Sequence, residues 1–142
     1  MADAARQPKQ PLTFRVHPST LGRLQRRARE AGLAQTALAE RYLEEGLRRD
    51  EHPLIYFREA ASGRRAALLG TRLDVWQVIE TIKEANSVEE AAAYLEIPAE
   101  KVRACLRYYA AYQDEVDDWS ARATSVSERE EAIWRRQHEV LG

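Results

Sequence analysis

The chain has one cysteine, Cys105, among its 142 residues, so no internal disulfide can form. A reducing, cytoplasmic setting is therefore expected. No apolar run approaches the roughly 20 residues that a membrane span needs. The opening "MADAARQPKQ" lacks the apolar stretch of a signal peptide. His17, His52 and His138 are scattered and match no metal-ligand spacing. No P-loop and no G-x-G-x-x-G is present. These gaps argue against an enzyme, and neither a cofactor nor a metal is expected. Cys105 falls near the apolar face of a helix and reads as a core residue, not a nucleophile.

The chain does carry much charge, 32% of its residues, beside 44% hydrophobic content. That is a globular composition with a charged surface. The net charge of −1 hides a split. Residues 1–50 carry ten Lys and Arg against six Asp and Glu, and residues 51–142 carry twelve against seventeen. Within 1–29 there are seven basic residues and one acidic. A basic end suits a polyanion.

Residues 1–10 are polar and are expected to be a disordered tail. "LTFRVH" then alternates Leu12, Phe14 and Val16 with Thr13, Arg15 and His17, the period of a half-buried strand. One six-residue strand is unstable without an edge partner. A helix follows from about Pro18, with Leu21, Leu24, Ala28 and Ala31 as its stripe and Gly32 as its stop. A second helix runs to Pro53 with Leu38, Tyr42, Leu43 and Leu47 apolar.

From Leu54 the pattern changes. "LIYFRE" reads as a strand, "ASGRR" as a five-residue turn, and "AALLGTRL" as the returning strand of a hairpin. Asp74 caps a helix with Val75, Val78, Ile79 and Ile82 apolar. Ser87 and Glu90 form a capping box for the next helix. A longer helix begins at Pro98 and is expected to bury Val102, Cys105 or Leu106, and Tyr109. The polar "SARATS" is expected to separate it from a last helix containing Ile133, Trp134, Val140 and Leu141.

The strand, cap, helix, glycine and helix of residues 11–50 resemble the ribbon-helix-helix family of DNA-binding proteins. Phe14-Arg15-Val16, Leu21, Leu24, Ala28, Gly32, Thr36, Leu38 and Leu43 to Leu47 carry the resemblance. It implies a homodimer in which two copies pair their strands and place the ribbon in the major groove. Thr13, Arg15 and His17 would then face the bases, Arg15 being best suited to guanine. Arg23 and Arg26, with Arg27 and Arg29, would meet phosphates, as would the helix start near Gln35 and Thr36. Without a partner of that kind, the same face is a solvated strand surface.

Gly70-Thr71-Arg72-Leu73-Asp74-Val75 and the three helices after it resemble VapB-like antitoxins over about 54–113. That resemblance implies a type II toxin–antitoxin system with a PIN-like ribonuclease as partner. Residues 87–109 also have a helix-turn-helix form, but Glu89, Glu90, Glu96 and Glu100 flank Lys101, Arg103 and Arg107. Those acids would repel phosphate, which favours a packing role.

The expected architecture is therefore mostly α. An N-terminal ribbon-helix-helix dimer (11–50) precedes a hairpin with a tri-helical, helix-turn-helix-like domain (54–113). A C-terminal helical segment (114–142) offers Trp119, Ile133, Trp134, Arg135 and Arg136 to a partner. The expected function is an antitoxin that represses its own operator, a palindrome in double-stranded DNA, and neutralises the nuclease. The alternative is a stand-alone transcriptional regulator whose C-terminal domain oligomerises or binds a ligand.

Overall fold

Helix-start and helix-stop chemistry sets most of the element boundaries. The computed structural model describes residues 7–142. Residues 1–6 of the expected tail lie outside the described residues. The chain divides into two units, Met1–Pro53 and Leu54–Gly142. Six helices and one two-stranded antiparallel hairpin make up the regular structure of the described residues.

In the first unit, α1 (Pro18–Ala31) and α2 (Gln35–Glu51) form a helical pair. Pro18 fits the first turn of α1, where no N–H is needed. Gly32 ends the helix at φ +66°, a left-handed position where a side chain would be strained. Ala28 and Leu38 are the buried residues of the pair. Neither helix has a side-chain N-cap: His17 and Ala34 stand there in extended backbone.

Leu12–His17 forms no strand in this single chain. Leu12, Phe14 and Val16 stay exposed, and so do Tyr42, Leu43 and Leu47 of the expected α2 stripe. A strand needs an edge partner for its N–H and C=O groups, and this segment has none among the described residues.

The second unit begins with β1 (Ile55–Ala60) and β2 (Gly63–Leu68). Their register pairs Ile55 with Leu68, Arg58 with Arg65 and Ala60 with Gly63. The connection is thus Ala61-Ser62 alone, two residues instead of the expected five. The returning strand starts earlier than "AALLGTRL" suggested and ends at Leu68. Gly63 takes φ +126°, which lets the chain reverse this tightly.

Three helices follow: α3 (Val75–Ala85), α4 (Val88–Leu95) and α5 (Ala99–Ala111). Asn86 and Glu96 end α3 and α4 in left-handed backbone. Ser87 Oγ accepts from the Glu90 N–H at 3.0 Å, as its place before α4 implies. Ile55, Leu68, Val75, Val78, Ile79, Val102, Cys105 and Tyr108 are the centre of one continuous core. In α5 the buried residues are Val102, as expected, with Ala104, Cys105 and Tyr108. Leu106 is exposed and Tyr109 half-buried, because the helix presents the neighbouring face.

The expected break at "SARATS" does not occur. Gln113–Leu141 is a single helix, α6, of 29 residues. Thr124 Oγ1 bonds back to the Ser120 carbonyl at 3.1 Å. Arg122 pairs with Asp118 one turn earlier at 2.8 Å. Both local bonds satisfy polar groups inside the helix, so the polar stretch need not leave it. Val116 is buried near its start, and nearly every residue after Ala123 is exposed.

Candidate functional site

In the first unit, Thr13, Arg15, His17, Arg23, Arg26, Gln35 and Thr36 are all exposed. Arg15, Val16, His17 and Thr20 line a shallow hollow of about 360 Å³ where the extended segment enters α1. Among the described residues, Arg15, Arg23, Arg26 and Arg29 make no ion pair. Arg27 has a loose one with Glu30 at 3.7 Å. The start of α2 is uncapped by any side chain, so its first N–H groups have no side-chain acceptor there. This is a surface of free guanidiniums beside a helix N-terminus, the chemistry a phosphate backbone meets.

The second unit centres on Asp74, its one buried charged residue. Gly70 (φ +77°) turns the chain after β2. Thr71 Oγ1 donates to the Leu68 carbonyl at 2.8 Å and accepts from the Leu73 N–H at 3.1 Å. That turn brings Asp74 alongside Ala67 of β2. There its carboxylate meets the cross-strand pair Arg58 and Arg65. Arg58 reaches Oδ1 from Nε at 2.8 Å and from Nη2 at 2.5 Å, and Arg65 Nε reaches Oδ2 at 2.5 Å. Trp76 Nε1 also donates to Oδ2, at 3.2 Å. Gln77 completes a reciprocal cap with the backbone of Asp74. Two like charges facing each other across strands repel; the shared carboxylate reverses that.

Arg58 Nη2 donates further to the Arg72 carbonyl, at 3.2 Å. Thus the Gly-Thr-Arg-Leu-Asp-Val element works as a latch between the hairpin and α3. Sequence reasoning took Asp74 only as a helix cap and missed its arginine partners. The signal was an acid directly after the turn, with arginines on both strands.

Trp119 does not join the exposed residues of α6. It is half-buried against the hairpin turn, where a Cβ on Gly63 would lie 3.0 Å from its ring. Arg65 sits 5.8 Å and Arg122 4.8 Å from its centroid. Ile133 and Trp134 are exposed on the distal helix. The Trp134 ring stacks on His138, centroids 3.9 Å apart. Arg135 is paired with Glu131 at 2.5 Å, whereas Arg136 makes no ion pair among the described residues.

Other candidates find their partners inside the unit. Arg103 pairs with Glu89 at 3.0 Å on the surface of the unit. Tyr109 donates to Asp117 at 2.8 Å and Tyr108 to Glu115 at 2.7 Å, so these two acids at the start of α6 tie it to α5. Burial raises the Tyr109 phenol above its ordinary range, and Asp117 adds to this. Lys83 is also raised: burial alone would lower it, but Glu80, Tyr109 and Asp117 together outweigh burial. Burial pushes the Cys105 thiol up to about 12, which leaves it protonated and unreactive. Among the described residues, no group of three or more His, Cys, Asp and Glu could hold a metal ion. No helix among them is long and apolar enough to cross a membrane.

Against known proteins, one family model matches, over residues 58–109; its description is "Protein of unknown function (DUF433)". The match runs from the second half of β1 into the last turn of α5 and includes the latch. No curated protein and no solved structure matches the chain.

Proposed function

We propose that the protein is a DNA-binding antitoxin that acts as a dimer, represses its own operator and neutralises a PIN-like ribonuclease. The observation that carries this reading is the segment 12–17. Leu12, Phe14 and Val16 are 72%, 60% and 44% exposed on a stretch that is otherwise patterned for burial. A second copy pairing antiparallel would supply the edge partner and cover this face. The alternate face, Thr13, Arg15 and His17, would then enter the major groove. Arg23 and Arg26 would flank it on phosphates, with Gln35 and Thr36 at the start of α2.

The distal part of α6 supports a protein partner. Ile133, Trp134, Val140 and Leu141 are exposed at helical spacing with Arg136 among them. An amphipathic helix of this kind suits a partner's apolar groove. The test has two arms. Arg15→Ala should abolish binding to a DNA fragment from upstream of the protein's own reading frame, in a fluorescence-anisotropy titration. The same variant should still co-purify in stoichiometric amount with the product of the adjacent reading frame. Unchanged operator affinity rejects the first role, and the lack of a nuclease partner rejects the second.

A second reading, a regulator without a toxin, is favoured by one observation. Between the hairpin and α6 lies a groove of about 570 Å³ lined by aromatic and basic side chains.

A further inference from the structure

That groove lies wholly within the second unit and is independent of what the first unit binds. Its walls are the hairpin turn at Ser62, the start of α3 at Trp76, and α6 from Trp119 to Glu130. Its volume is in the range of small-ligand sites.

The charges around it do not cancel. Asp74 is already saturated by Arg58, Arg65 and Trp76, so two guanidiniums share one carboxylate there. Arg122 is balanced by Asp118. Arg129, one helical step of seven residues further along the same wall, makes no ion pair among the described residues. Glu130 is the single lining carboxylate outside the latch. The groove therefore keeps an excess of positive charge.

Its aromatic surface is held in place. Gly63 leaves room for the Trp119 ring at the turn, where a Cβ would lie only 3.0 Å from it. Arg65 and Arg122 sit close to that ring. The Trp76 N–H is taken by Asp74, so Trp76 offers the groove its ring and no donor. Ser62, Ser125 and Ser127 add hydroxyls along the same lining.

We infer that this groove is a binding site for a mononucleotide: a flat ring stacked beside Trp119 and Arg122, with its phosphate against Arg129. Stacking on indole and guanidinium planes is how proteins hold bases without reading them. A forked guanidinium suits phosphate oxygens. The serine hydroxyls match a ribose better than they match a plain aromatic acid.

Intrinsic fluorescence of the full-length protein, excited at the red edge of the tryptophan band, tests this. Two of the three tryptophans line the groove and the third, Trp134, lies outside it. Titration with AMP should quench the emission and saturate. Adenosine and inorganic phosphate should each bind at least about tenfold more weakly, since each offers half of the contacts. Arg129→Ala, an exposed helix position that does not threaten folding, should weaken AMP about tenfold, and Trp134→Phe should leave it unchanged. Three results would overturn the assignment: no saturable quenching by AMP, an undiminished affinity in Arg129→Ala, or tighter binding of indole-3-carboxylate than of AMP.

Discussion

Arg65 Nε donates to Asp74 Oδ2 at 2.5 Å, with the arginine side chain 15% and the aspartate side chain 4% exposed. Removing one partner of so buried a pair leaves the other charged and unmatched. Here the loss is compounded, because Arg58 faces Arg65 across the hairpin and depends on the same carboxylate. Asp74→Ala should lower the stability of the full chain by about 3–5 kcal/mol, read from urea denaturation followed by tryptophan emission. Asp74→Asn should lose less, since its amide oxygen still accepts one bond. Equal stability of Asp74→Ala and the parent would refute the latch.

Gly63 makes a second prediction, for a different reason. Gly63→Ala meets both a strained backbone at φ +126° and the Trp119 ring at 3.0 Å. A cost of about 1–3 kcal/mol is expected from the backbone, with the collision adding to it. A double-mutant cycle with Trp119→Leu separates the two parts. The collision disappears in the double variant and the backbone strain persists.

Tyr109 and Lys83 predict an alkaline limit. Both hold their protons more tightly in the folded protein than in the unfolded chain. For a raised folded value, the stabilisation is complete below the unfolded value, near 10 for tyrosine and 10.5 for lysine. It is lost as pH climbs through the folded value. The thermal midpoint should therefore fall as pH rises above 10, and fall less steeply in Tyr109→Phe. A parallel decline in both proteins would show that Tyr109 is not responsible.

Cys105 reports on opening of the second unit. It is fully buried and its thiol is pushed up to about 12. Maleimide labelling at neutral pH should be slow in native buffer and should accelerate sharply within the urea transition. Fast labelling of the native protein would contradict this burial.

The apolar face of segment 12–17 predicts self-association. Sedimentation should show a concentration-dependent dimer, and Phe14→Asp should shift the protein toward monomer. A parent chain that stays monomeric at every concentration would leave Leu12, Phe14 and Val16 without the proposed cover.

Much of the fold was legible because helix ends are local. Pro18, Gly32, Asp74 and Ser87 each act within one turn, so the boundaries at α1, α3 and α4 followed from neighbours in sequence. The hairpin register was less so. It depends on Gly63 accepting a left-handed backbone and on Trp119, 56 positions away, filling the space that glycine leaves. "SARATS" misled because serine and threonine usually favour turns, yet here their neighbours supply bonds that keep the helix intact. The latch was hidden for the same kind of reason. Arg58, Arg65 and Asp74 are ordinary surface residue types until the turn at Gly70 brings them together.

The unbroken course of α6 carries a mechanical consequence. From Trp119 to Leu141 the helix advances about 33 Å at 1.5 Å per residue. Its inner end is fastened at the hairpin by Trp119, and its outer end is free of other elements in the unit. Such a member is a lever arm. A force applied at the tip would be carried along that rigid length to the Trp119 contact at the hairpin turn.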